Sequence, residues 1–207
     1  MTDKIAIVDY GMGNLRSVAN GLAEVGAMSQ LVAAGADLMA YDKIILPGVG
    51  AFSQAMENLH GRELVGPLND CVQAGKQVLG ICLGMQLMCK QSFEDGIHQG
   101  LGWFDADVIE FPKTENLKVP HMGWNSVHFE KDHGVISSIE TDNDVYFVHS
   151  YFVDCKSPQD ILGTASHGQK FTAMLARENI TGMQFHPEKS QQVGLKMLEN
   201  FVNDAGF

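Results

Sequence analysis

The 207-residue sequence is 45% hydrophobic and 19% charged, enough to bury one sizeable core, and its length fits a single domain spanning residues 1–207. Its 14 Lys and Arg stand against 25 Asp and Glu, a formal charge of −11 that excludes any general attraction to nucleic-acid phosphates or anionic lipid. The start MTDKIAIVDYG has no basic segment leading into an apolar stretch, and no run of roughly 18 apolar residues occurs, so a cytoplasmic location is expected.

Along the chain, apolar runs bounded by glycine alternate with helical patterns. Ile5–Val8 reads as a strand, and the helix after it carries Leu15, Val18, Ala19, Leu22 and Val25 on one stripe, with Asn14 as N-cap and Gly26 as terminator. Residues 44–46 and 78–81 read as further strands, the second followed by another helix that is expected to include Cys89. This alternation predicts an α/β fold with a central, mostly parallel, doubly wound sheet flanked by helices. From about residue 101 the pattern changes to strand-like segments at 124–129, 145–153 and 171–176, predicting additional antiparallel strands. A last helix sets Val193, Met197, Leu198 and Phe201 on one face and is expected to end near Gly206.

Four cysteines are present without a C-x-x-C pair, and a chain of this length needs no disulfide staples, so reduced thiols are expected. Cys82 stands apart from the other three. It centres the segment Gly80-Ile81-Cys82-Leu83-Gly84, a buried strand, a sharp turn and a helix start. The flanking glycines let strand and helix approach closely and leave the sulfur exposed at the carboxyl end of the sheet, where such folds bind ligands. The competing reading is a small buried filler, and Cys71 illustrates it, lying with Leu64, Leu68 and Val72 on an apolar stripe without flanking glycines. Cys89 and Cys155 read as structural for similar reasons.

A cysteine nucleophile needs a base, and the base needs a third group to fix its tautomer. His186-Pro187-Glu188 offers both: Pro187 biases His186 toward an extended backbone, on which residues two apart point the same way. An H-x-E pair also occurs in zinc deaminases, but the later P-C-x-x-C is absent, which disfavours metal. His60, His98, His128, His133 and His167 read as surface or structural residues. Pro47-Gly48-Val49-Gly50 is a glycine-rich turn whose N–H groups can bind an anion such as a developing oxyanion; neither it nor Gly11/Gly13 completes G-x-G-x-x-G, so dinucleotide binding is a weak alternative.

Taken in order, PGVGAF at 47–52, GICLGMQ at 80–86, HSY at 149–151 and QFHPEKS at 184–190 resemble class I (triad) glutamine amidotransferases, which have a flavodoxin-like fold. DYGMGNLRSV at 9–18 and PHMGWN at 120–125 narrow the resemblance to the glutaminase subunits of imidazole glycerol phosphate synthase, over nearly the whole chain. The resemblance implies Cys82 as nucleophile, His186 as general base and acid, and Glu188 as its orienter. It implies an oxyanion hole from backbone N–H groups at Gly50 and Leu83, and glutamine held by Gln86, Ser150 and Tyr151. It implies no metal, no organic cofactor, and a heterodimer with a (β/α)8-barrel cyclase subunit, with Asn14, Met122, Trp124, Tyr146 and Lys189 at the interface. Read as residues alone, Trp124 and Tyr146 could equally be strand residues packing the core. The alternatives are a glutaminase of another pathway, such as anthranilate or aminodeoxychorismate synthesis, a stand-alone γ-glutamyl hydrolase, and a non-catalytic regulatory module, which would usually have lost one of the three catalytic groups.

Overall fold

Strand β1 (Ile5–Val8) shows how the apolar runs are used: Ile5 and Ile7 point to one face of the sheet, Ala6 and Val8 to the other, and all four are buried. The computed structural model describes residues 3–112 and 117–203. Helix α1 (Leu15–Glu24), β2 (Ser29–Val32), β3 (Lys43–Leu46), α2 (Phe52–Gly61), α3 (Val65–Gln73), β4 (Gln77–Ile81) and the short α4 (Leu83–Leu87) complete the first half. The second half holds β5 (Cys89–Ser92), β6 (His98–Gln99), β7 (Phe104–Glu110), β8 (His121–Phe129), β9 (Asn143–His149), β10 (Tyr151–Cys155), β11 (Ile161–His167), β12 (Gln169–Arg177), β13 (Ile180–Met183) and α5 (Gln191–Asn203).

The strand order β2-β1-β3-β4-β13 is parallel throughout, as the apolar runs predict. Beyond β13 the sheet continues mainly antiparallel through β12, β10 and β7 to β5 and β6, while β11 connects β12 to the β8–β9 pair. On one face, Val18 and Leu22 of α1 pack with Met197, Leu198 and Phe201 of α5; on the other, α2 and α3 contribute Phe52, Leu59, Leu68 and Cys71. The two faces are thus filled by the stripes legible in the sequence.

Three local expectations differ from what the chain does. Asn14 sits at the N-cap of α1, but its side-chain oxygen accepts from the Ser17 hydroxyl at 2.7 Å instead of from a backbone N–H. Cys89 opens β5 instead of continuing a helix. Backbone N–H groups of Leu101 and Trp103 donate to the carbonyls of Leu87 and Met88, so tertiary partners replace the helical bonds that would extend α4. The run at 145–153 is broken at Ser150, because β9 pairs with β8 while β10 pairs with β7 and β12. The expected end of the last helix, near Gly206, lies outside the described residues; α5 runs to Asn203.

Candidate active site

The break between β4 and α4 is occupied by Cys82 at φ 55° and ψ −111°, a conformation that costs a non-glycine residue on the order of 1–3 kcal/mol. The elbow is held from both sides. Cys82 N–H donates to the Met183 carbonyl at 2.7 Å, which ties it to β13. Gly84 sits so close to β3 that a Cβ there would stand 1.7 Å from the Leu46 carbonyl oxygen.

His186 follows β13 and is buried, at 1% exposure. Its Nδ1 lies 2.8 Å from Glu188 Oε1, and both side chains are closed off from solvent. This is the H-x-E pairing that the extended backbone before Pro187 predicts. Nδ1–H donating to the carboxylate leaves Nε2 as the working nitrogen, and Nε2 has no hydrogen-bond partner at standard geometry. Burial by itself pulls the imidazole pKa down, but the Cys82 sulfur and Glu188 outweigh it and lift His186 to about 9. A thiol, an imidazole and a buried carboxylate in this sequence can carry out nucleophilic acyl transfer.

The turn at 47–50 abuts the elbow: a Cβ on Gly48 would lie 2.9 Å from Leu83 Cβ and 3.2 Å from Gly84 N. Tyr10, fully buried, donates its hydroxyl to the Pro47 carbonyl at 2.8 Å and so fixes the turn from below; burial and then the nearby Cys82 push its pKa up. Gly50 has φ +109°, and Leu83 is the first residue of α4. The structure therefore brings Gly48 against Leu83 at the elbow, with Gly50 two residues further along the same turn.

On the other side, Gln86 Nε2 donates to the Tyr151 carbonyl at 2.9 Å and to Gln184 Oε1 at 3.0 Å, leaving its Oε1 for a ligand. Ser150 and Tyr151 occupy the kink between β9 and β10, where the Val148 carbonyl lies 3.9 Å from Cys82 Sγ. The residues named for an interface fall into two places. Trp124 and Tyr146 are cross-strand partners on β8 and β9 with rings edge to face at 6.0 Å, and Lys189 Nζ lies 5.9 Å from the Tyr146 ring centroid. Trp124 is 48% exposed and Met122 62% exposed, so neither is a core residue. Asn14 stands at the start of α1, outside the β8–β9 pair.

Two buried histidines lie inside the PHMGWN and HSY motifs but have no assigned role in the sequence reading. His121 and His149 face each other across β8 and β9, with Nδ1 of the first 2.9 Å from Nε2 of the second. Their neighbours set the tautomers. His149 Nδ1 must donate to the Tyr151 carbonyl at 2.8 Å, so its Nε2 accepts from His121 Nδ1, and His121 Nε2 accepts from Asn125 Nδ2 at 3.1 Å. Asn125 is itself oriented by the Ser126 N–H at its oxygen. Burial holds both rings well below the usual imidazole range, His121 at about 4 and His149 at about 3. The period-2 pattern of β9 carries the missed signal, since His149 shares a face with buried Val145 and Phe147. His167 is half-buried and stacks on His121 at 4.2 Å, which makes it structural, while His60 and His128 lie at the surface.

With this geometry in place, the relatives are informative. Residues 6–205 match the model of the glutamine amidotransferase class-I family. A Pseudomonas aeruginosa protein named imidazole glycerol phosphate synthase subunit HisH 2 is 45% identical over 199 residues, covering 96% of this chain and 98% of its own. The chain belongs to the class-I glutamine amidotransferases, among the HisH subunits of imidazole glycerol phosphate synthase. A HisH subunit from Sulfurimonas denitrificans is 46% identical to this amidotransferase, covering 96% of the chain and 97% of its own. Among solved structures, a chain of PurLQS from Thermotoga maritima superposes on 98% of the amidotransferase with a TM-score of 0.76 at 18% identity, over 99% of its own length. A second structure, described as a glutamine amidotransferase, gives 0.72 at 16% identity over 95% of this chain and 98% of its own. These two speak to the fold, which is that of the class-I amidotransferases.

Proposed function

We propose that this chain, as a single amidotransferase domain over residues 1–207, hydrolyses L-glutamine to L-glutamate and ammonia at Cys82. The observation that carries the proposal is the buried Cys82, His186 and Glu188 set, in which His186 Nε2 is left unpartnered beside the sulfur. The Cys82 thiolate attacks the carboxamide carbon, and His186 Nε2–H protonates the departing nitrogen, so ammonia leaves and a glutamyl thioester remains. His186 then takes a proton from water, whose oxygen displaces the sulfur and releases glutamate. Backbone N–H groups at Gly50 and Leu83 receive the oxyanion; loss of one such donor typically costs about 10²–10³ in rate. Gln86, Ser150 and Tyr151 hold glutamine.

The ammonia is passed to a (β/α)8-barrel cyclase subunit, which forms imidazole glycerol phosphate and aminoimidazole carboxamide ribotide in histidine biosynthesis. The HisH names of the relatives and the exposed Met122 and Trp124, grouped with Tyr146 and Lys189, support this partner, with Asn14 at the edge of the contact. We place the protein in the cytoplasm, where its four unpaired thiols stay reduced; among the described residues no helix is long and apolar enough to cross a membrane. The test is glutamate release by the chain purified with its barrel partner. Cys82→Ala must abolish it, and retained activity would sink the mechanism. Co-purification with a chorismate-using enzyme instead would assign the chain to another amidotransferase pathway.

A further inference from the structure

Gln184 is fully buried between β13 and His186, and its side chain reaches the nucleophile. Its Nε2 lies 3.9 Å from Cys82 Sγ, while its Oε1 accepts from Gln86 Nε2 at 3.0 Å. Which end of the amide faces the sulfur is not arbitrary. The Tyr151 carbonyl can only accept, so the Gln86 atom beside it must be the NH₂ group. That NH₂ also faces Gln184, which must therefore turn its oxygen toward Gln86 and its own NH₂ toward Cys82.

The consequence depends on the protonation state of the sulfur. A neutral thiol can donate to the Val148 carbonyl, 3.9 Å away. Once the proton has left, that carbonyl only repels the sulfur, and the side chains placed to donate to it are His186 and Gln184. We propose that Gln184 is a catalytic residue of this site, donating an amide N–H to the Cys82 thiolate, with Gln86 acting as the positioning residue that keeps the amide the right way round. The assignment rests on the glutaminase reading above and adds a donor that the Cys-His-Glu set does not supply. The titratable groups around the sulfur are His186, backed by Glu188, and Tyr10, with His149 beyond His186; the substitutions below leave all of them in place.

The experiment is the rate of Cys82 alkylation by iodoacetamide in the full-length chain as a function of pH, read by peptide mass spectrometry so that the other cysteines do not contribute. It is run beside glutamate release with the barrel partner. A hydrogen bond to a charged group corresponds to roughly a ten-fold effect or more. Gln184→Met should slow alkylation about ten-fold at neutral pH, recover at high pH, and lower kcat more than it raises KM. Gln184→Glu keeps the volume and the acceptor for Gln86 but turns an oxygen toward the sulfur, and should slow alkylation further. Should Gln184→Met fail to fold by circular dichroism, Gln86→Met, which releases the amide to turn over, must displace the pH profile in the same direction. A profile superimposable on that of the unmodified chain in any folded variant overturns the role of Gln184. Absence of glutamate release by the unmodified chain with its barrel partner overturns the glutaminase reading instead, and the alkylation profile, which needs no substrate, keeps the two failures apart.

Discussion

Lowering the pH from 7 to 5 should destabilise this protein through His121 and His149. Both rings are buried and neutral, and each nitrogen of the pair already has an assigned role: a proton added to His121 Nε2 would point at the Asn125 NH₂ group, and one on His149 Nε2 at an N–H. In the unfolded chain an imidazole titrates near 6.5, whereas in the fold His149 stays neutral down to about 3 and His121 to about 4. A depressed pKa means that the stability is fully present above 6.5 and is lost as pH falls, since the unfolded state binds the protons first. At pH 5 the 1.5-unit gap from the unfolded value corresponds to about 2 kcal/mol for His149. His121 counts for about 1 kcal/mol, because the half-buried His167 stacked on it admits solvent screening. The total of about 3 kcal/mol is a sizeable share of a typical domain's stability. Urea unfolding at the two pH values, in the unmodified chain and in His149→Gln, isolates the His149 part from other titrating groups such as His186. In His149→Gln the difference should shrink by about 2 kcal/mol, and a difference equal to that of the unmodified chain would refute the assignment of the buried pair.

Gly84→Ala puts a methyl group 1.7 Å from the Leu46 carbonyl oxygen, so strand or helix must move. A loss of about 3 kcal/mol in urea unfolding is expected, together with loss of glutamate release. Glu188→Gln removes one of the groups that lift His186 to about 9; because the leaving nitrogen needs His186 protonated, the alkaline fall of kcat/KM should move to lower pH than in the unmodified enzyme. Trp124→Ala deletes a half-exposed ring from the face assigned to the partner and should weaken its binding at least about ten-fold in a calorimetric titration.

The parallel half of the fold was legible because it is written in local pattern. Buried strands such as Ile5–Val8 are apolar on both faces, and the helices between them carry single stripes. Cys82 and the His186–Glu188 pair were legible because an elbow and an extended H-x-E depend on neighbours in sequence. What stayed hidden depends on distant partners. Gln184 acquires its orientation from Gln86, 98 positions away, and nothing in the residues beside it announces that. Cys89 leaves its helix because the 101–103 segment captures the carbonyls of Leu87 and Met88, a competition that helix propensity does not register. Trp124 and Tyr146 were ambiguous between core and surface because an antiparallel strand alternates faces, and only register against a neighbour says which face is wet.

Register also explains how the Trp124–Tyr146 pair is tied to the catalytic histidine. Tyr146 accepts from the His186 N–H at 2.9 Å through its carbonyl and donates through its own N–H to Ser190 Oγ at 2.9 Å. Ser190 Oγ in turn donates to the His186 carbonyl at 2.6 Å, so one hydroxyl clamps β9 to the His186 backbone. Side-chain changes at Tyr146 leave this clamp intact, whereas Ser190→Ala opens it and strands the Tyr146 N–H, whose partner was 1% exposed, while the His186 carbonyl keeps the Lys189 N–H at 3.0 Å. One unsatisfied buried N–H costs about 2 kcal/mol, to be read by urea unfolding. Released from Ser190, the His186 backbone loses one of its three hydrogen bonds, and Nε2 should be less well held against the Cys82 sulfur. The expected pattern is a fall in kcat with KM nearly unchanged, since the clamp touches none of the groups assigned to glutamine. Ser190→Ala with unmodified stability and kcat would mean that Glu188 and the remaining backbone bonds to Tyr146 and Lys189 suffice to hold His186.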